Sequence, residues 1–178
     1  AKNHMLVLPD ADLDIVADKA INAGYGAAGE RCMAISVVLA VEPVADELIE
    51  KITSRITELR VGAGSSTPEP HMGPLISAQH RDKVSGYVDI AEADGATIVV
   101  DGRDFTVPGC EDGFFFGPTL IDKLPTTSRA YTEEIFGPVL EVVRVKSYEE
   151  GLALINSGAF GNGTAIFTND GGAARRFQ

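Results

Sequence analysis

The chain has 178 residues, 44% of them apolar and 23% charged, with a formal charge of −11 at neutral pH. One domain of this length buries roughly 70% of the surface its unfolded chain exposes, so its core needs no staples. The acidic balance opposes binding to nucleic acid or an anionic membrane surface, and no apolar run approaches the roughly 20 residues that span a bilayer.

Taken in order, Asn3 to Leu8 reads as a short buried strand ended by Pro9-Asp10. Leu13, Val16, Ala17, Ala20 and Ile21 follow at helical spacing, and the glycines from Gly24 stop that helix. Ser36 to Val41 is a β-branched apolar run, hence a strand. Pro43 suits a first helical position, ahead of a stripe of Val44, Leu48, Ile52, Ile56 and Leu59, with Glu47 and Lys51 paired outside it. Gly62 to Pro70 is a loop. A helix is predicted over 78–93, capped by Ser77, with Val84, Tyr87, Val88 and Ala91 inward and Gly95 at its end.

Thr97 to Val100 is a strand and Asp101-Gly102 a turn. Phe114 to Ile121 and Val139 to Val145 are extended, with a loop between them. Ser147 to Glu150 forms a capping box for a helix that ends near Gly158. Ala165 to Thr168 is a last strand, and a further helix begins near Gly172. Alternation of strands and helices predicts an α/β domain around a largely parallel sheet.

Two cysteines, Cys32 and Cys110, give no disulfide framework, and free thiols favour a reducing compartment. With no signal-peptide h-region at the N-terminus, the expected location is cytoplasmic. Asn162-Gly163-Thr164 matches a glycosylation sequon and is read as chance. The missing initiator Met and a C-terminus inside a predicted helix suggest a fragment of a longer enzyme.

Cys32 ends the run Gly24-Tyr25-Gly26-Ala27-Ala28-Gly29-Glu30-Arg31. Small residues allow close backbone approach, and a neighbouring cation raises the thiolate fraction, whereas Glu30 opposes it. Against this stands the ordinary free cysteine, a small buried hydrophobe. Gly24-x-Gly26-x-x-Gly29 matches the dinucleotide fingerprint only formally, since a helix precedes it and a strand follows. Cys110 lies in an acidic loop and reads as inert. His4, His71 and His80 lack metal-site spacing, and a Cys-His hydrolase is possible on paper with nothing to select one histidine. Glu133-Glu134 alone is a solvated acidic pair; the following Ile135-Phe136-Gly137-Pro138 adds an aromatic that can hold a flat ring.

Four segments in order resemble the aldehyde dehydrogenase superfamily: Gly29 to Cys32, Met72 to Ser77, Phe116 to Leu120 and Glu133 to Val139. The resemblance covers almost the whole chain. It implies that residues 1–178 are a catalytic domain, a Rossmann-like three-layer α/β unit without most of the NAD-binding domain. By that match Cys32 is the nucleophile, its backbone N–H contributes to an oxyanion hole, Glu134 binds the nicotinamide ribose hydroxyls, and Phe136 packs near the nicotinamide. Ala1-Lys2-Asn3-His4 and Gly26 to Ala34 are similar to the CoA-acylating methylmalonate-semialdehyde dehydrogenase branch. That branch implies NAD as cofactor, coenzyme A as acyl acceptor, Arg31 on the carboxylate of a small semialdehyde, loss of CO2 and a homo-oligomeric full-length enzyme. Glu30 departs from the branch, which usually has Gln there. A hydrolytic NAD(P)-dependent aldehyde dehydrogenase and an inactive isolated module are the alternatives.

Overall fold

In the computed structural model, which describes all 178 residues, six strands form one sheet in the order β3-β4-β5-β2-β1-β6. The strands are β1 (Asn3–Val7), β2 (Ile35–Val41), β3 (Thr97–Val100), β4 (Thr119–Asp122), β5 (Val139–Val145) and β6 (Thr164–Phe167). Every neighbouring pair is parallel except β3 with β4, the antiparallel edge. The central strands β1, β2 and β5 are buried along almost their whole length, as both faces are covered. That is why they read as continuous apolar runs and not as alternation.

The helices are α1 (Leu13–Tyr25), α2 (Ala45–Ile56), α3 (Ala78–Ala93), α4 (Arg129–Thr132), α5 (Tyr148–Ser157) and α6 (Gly171–Phe177). Leu140 of β5 faces Gly24 of α1, while Val145 faces Gly151 of α5. Residues an odd number apart on a strand point to opposite faces, so α1 and α5 lie on opposite sides and the domain has three layers. Helix α2 packs on α1 through Leu48, Ile52 and Ile56, all buried. Lys51 and Arg55 reach from α2 to Asp14 and Asp18 of α1, and Lys51 also pairs with Glu47 at 3.7 Å. The predicted stripe is therefore the true contact face.

Four local expectations change. The segment 114–118 is not a strand: Phe115 and Phe116 are both buried although adjacent, and the Gly117 N–H donates to the Gly102 carbonyl in a loop. Helix α2 begins at Ala45, two residues after Pro43, with Val44 as a cap that makes no side-chain hydrogen bond. The loop before Glu133 contains α4, capped by the Ser128 hydroxyl. At α5 the Ser147 hydroxyl accepts from the Glu150 N–H (3.2 Å), but the Glu150 carboxylate accepts from the Lys146 N–H (2.6 Å), one residue short of a closed box.

Candidate active site

Between α1 and β2 the chain makes a tight turn, Gly26–Gly29, in which Ala27, Ala28 and Gly29 all have positive φ (52°, 55° and 69°). Two consecutive alanines in the left-handed region cost roughly 1–2 kcal/mol each, a strain that persists only where surroundings hold it. Gly29 shows what holds it. A Cβ there would overlap the Gly137 carbonyl, so this glycine lets the turn rest on the Gly137-Pro138 backbone. Gly137 is fixed from the other side, where a Cβ would come within 2.6 Å of Val84 on α3. The two segments singled out in the sequence, about a hundred residues apart, are thus packed against each other.

Together with the first residues of the chain they line one small cleft that includes Asn3, Arg31, Cys32, Glu134, Phe136 and Gly137. Cys32 is exposed, which removes the reading of a buried inert thiol. Its backbone N–H donates to no protein acceptor. Its carbonyl accepts two amide donors, Asn3 Nδ2 (2.9 Å) and Asn162 Nδ2 (2.6 Å). Asn3 Nδ2 also donates to the Ala34 carbonyl (2.8 Å), and Asn3 Oδ1 accepts from the Gly163 N–H (3.1 Å). Asn3 therefore ties the start of β1 to the Cys32 loop and to the start of β6.

Arg31 is exposed and has no carboxylate within 4.0 Å. Its guanidinium lies beside Gly26, where a Cβ would be 2.7 Å from Nη1. Glu30 does not neutralise it. The Glu30 carboxylate turns instead to the N-terminal end of α3, accepting from the Ile76 N–H (3.3 Å) and lying 3.5 Å from His80 Nε2.

The acidic pair divides. Glu133 accepts from Arg129 (2.8 and 3.1 Å) and from the Tyr87 hydroxyl (2.6 Å), and these donors pull its carboxyl down to about 2. Glu134 is partly exposed at the cleft, and no charged side chain pairs with its carboxylate. Phe136 is half-buried, with a φ of 62°.

Beneath the cleft, Lys2 is buried and its Nζ donates to the Ala130 carbonyl of α4 (2.5 Å) and to Glu141 on β5 (3.0 Å). Burial pushes the Glu141 carboxyl up to about 7. Next to it His4 meets the Tyr131 hydroxyl at 3.0 Å, and burial brings its imidazole down to about 4. The three histidines lie apart, and no group of three or more His, Cys, Asp or Glu could hold a metal ion. Cys110 lies away from the cleft, in a loop of its own. No helix is long and apolar enough to cross a membrane.

Asn3 and Asn162 are among the residues whose roles local sequence reasoning does not assign. The sequon read as chance is structural throughout: Asn162 and Gly163 hold the Cys32 loop and Asn3, and the Thr164 hydroxyl donates to the His4 carbonyl (3.0 Å).

The profile of the aldehyde dehydrogenase family matches residues 1–178. The chain is 53% identical to a malonate-semialdehyde dehydrogenase of Pseudomonas aeruginosa, over 99% of this chain and 36% of that protein. It is 44% identical to the mitochondrial acylating methylmalonate-semialdehyde dehydrogenase of Arabidopsis thaliana, over 100% of this chain and 29% of that one. A crystal structure of betaine aldehyde dehydrogenase from Staphylococcus aureus in complex with NAD+ superposes with a TM-score of 0.91 at 35% identity, over 99% of this chain and 35% of that chain. The chain thus spans about a third of the length of these relatives. With its profile matched from end to end and the two diagnostic segments meeting in one cleft, the chain belongs to the aldehyde dehydrogenase family.

Proposed function

We propose that residues 1–178 form the catalytic domain of an NAD-dependent, CoA-acylating malonate- or methylmalonate-semialdehyde dehydrogenase. The observation that carries this reading is the shared cleft: an exposed thiol, an unpaired guanidinium, a carboxylate and an aromatic ring within one lining. The names of the Pseudomonas and Arabidopsis relatives support the semialdehyde and the acylating acceptor. The NAD complex of the Staphylococcus relative supports the cofactor.

The Glu134 carboxylate can accept from ribose hydroxyls, and the half-buried Phe136 offers a flat contact, so these residues fit the nicotinamide end of the dinucleotide. When bound, NAD supplies the hydride acceptor. Cys32 Sγ, as thiolate, attacks the aldehyde carbon and forms a thiohemiacetal; its own N–H, free of any protein acceptor, is available to the developing oxyanion. Oxidation leaves a thioester on Cys32. The two amide donors on the Cys32 carbonyl anchor the residue that carries both the sulfur and that N–H. Arg31 pairs with the substrate carboxylate through its fork of donors, orienting the aldehyde toward sulfur. That carboxylate sits β to the thioester carbonyl and leaves as CO2, and protonation of the resulting enolate gives acetyl or propionyl on sulfur. The thiol of coenzyme A then displaces the Cys32 thiolate.

The test is NADH formation by the intact enzyme from malonate semialdehyde, with acetyl-CoA as product when coenzyme A is present. Cys32→Ala abolishes turnover. Arg31→Leu raises KM at least about tenfold for the semialdehyde, the scale of a lost charge-assisted bond, and leaves propanal unaffected. Turnover retained in Cys32→Ala would falsify the assignment.

A further inference from the structure

His80 lies outside the cleft lining, yet one of its nitrogens reaches both loops that form it. The residue sits in the first turn of α3, and its Nε2 donates to the Phe136 carbonyl at 2.6 Å. The same Nε2 lies 3.5 Å from Glu30 Oε1, two residues before Cys32. Both neighbours of this nitrogen are acceptors, so Nε2 carries a hydrogen, and a tautomer protonated on Nδ1 alone would set a lone pair against two oxygens. The contact is shielded, with the imidazole 15% and the carboxylate 18% exposed.

Glu30 is itself anchored by the Ile76 N–H just ahead of α3, where the helix dipole favours an anion. The rings of His80 and Phe136 meet edge to face, with centroids 6.4 Å apart. Phe136 needs such support. Its positive φ is unfavourable for a residue with a Cβ, and it fixes the direction of the carbonyl that His80 captures. One turn further along α3, Val84 presses on Gly137, so the helix grips two successive residues of the loop.

We infer that His80 is a positioning residue: by holding the Phe136 carbonyl and the Glu30 carboxylate together, it sets the spacing between the cofactor loop and the nucleophile loop. The inference rests on the reading of Phe136 as a nicotinamide contact. Glu30 gains a role from it. The carboxylate is a partner for His80 and not a neighbour that quenches Arg31.

In the intact enzyme, His80→Leu raises the KM for NAD about tenfold, the scale of one shielded hydrogen bond lost, and leaves the semialdehyde KM within about twofold. His80→Gln, whose amide can donate to the same carbonyl, restores the NAD value. An unchanged KM for NAD in His80→Leu overturns the inference. So does a parallel fall in every kinetic parameter that Gln fails to rescue, since that marks a merely structural residue. If the wild-type enzyme does not reduce NAD at all, the proposed function fails separately. The tie is then judged by the 15N shifts of His80: a protonated Nε2 supports it, and a bare Nε2 overturns it.

Discussion

The side-chain amide of Asn162 donates to the carbonyl of Cys32 across 130 residues of chain, at 2.6 Å. Asn3 supplies a second donor to the same oxygen from the opposite direction in sequence. The Cys32 carbonyl is therefore fixed by side chains of two other segments, the start of β1 and the turn before β6. These donors differ in burial: Asn3 is buried, whereas Asn162 is exposed.

That difference yields the first prediction. Asn3→Asp places a carboxylate oxygen where a donor now faces the Cys32 and Ala34 carbonyls. It should destabilise the chain by about 3 kcal/mol, the cost of a buried polar group set against like partners. Asn162→Ala removes a solvent-exposed donor from a carbonyl that Asn3 still satisfies, and should cost no more than about 1 kcal/mol. Urea unfolding measures both. Equal losses would show that Asn3 is not the principal anchor.

Gly29 and Ala27 make an opposed pair in the same turn. Gly29→Ala adds a Cβ at φ 69° that overlaps the Gly137 carbonyl, so the Glu134 to Pro138 loop must shift away from the Cys32 loop. A loss of about 3 kcal/mol or more in stability is expected from such a backbone clash. Ala27 is exposed at φ 52°. Ala27→Gly relieves roughly 1–2 kcal/mol of left-handed strain and gives back about 0.4–1 kcal/mol through the more flexible unfolded chain. A small net stabilisation should appear as a raised thermal midpoint; a lowered midpoint would mean that the alanine methyl makes a contact that outweighs its strain.

What the sequence disclosed follows the reach of each interaction. The stripe of Leu48, Ile52 and Ile56 and the cap of Ser77 are local patterns, and the structure has both where periodicity puts them. The cleft residues Arg31, Cys32, Glu134 and Phe136 came from motifs, and packing joins them. Helix α4 was illegible because four residues complete barely one turn, too few for a repeat. The antiparallel pairing of β3 with β4 leaves no mark on the residues of either strand. Asn3, Asn162 and His80 act through partners 29, 130 and 56 residues away, so no window around them betrays the role.

The buried polar cluster under the cleft predicts two opposing pH slopes. His4 is depressed from 6.5 to about 4. Its neutral form fits the fold, so its contribution is present above 6.5 and is lost as pH falls toward 4. Glu141 is raised from 4.5 to about 7, so its contribution is present below 4.5 and is lost as pH rises toward 7. Each amounts to about 3 kcal/mol by linkage, and between pH 4.5 and 6.5 they offset. His4→Phe should leave a variant whose stability declines from pH 4.5 to 7. Glu141→Gln, which also strands the buried Lys2 cation and is less stable throughout, should decline in the other direction, from pH 6.5 to 4. Thermal midpoints across that range read the slopes, and parallel profiles for the two variants would remove the account.

Neighbouring Glu133 and Glu134 should separate stability from cofactor binding. Glu133 is held by Arg129 and Tyr87 and joins α4 to α3, so Glu133→Gln should lower the thermal midpoint at neutral pH. Its depressed carboxyl contributes above its unfolded value of 4.5, and that contribution fades as pH falls toward about 2. The Gln variant should therefore lose less stability than wild type over that acidic interval. Glu134 is partly exposed and no charged side chain pairs with its carboxylate, so it contributes little to folding. Glu134→Gln should keep the wild-type midpoint while the KM for NAD in the intact enzyme rises about tenfold, since a neutral amide is the weaker acceptor for a ribose hydroxyl. The reverse pattern, a stable Glu133→Gln with weakened NAD binding, would mean that the loop presents the other carboxylate to the cofactor.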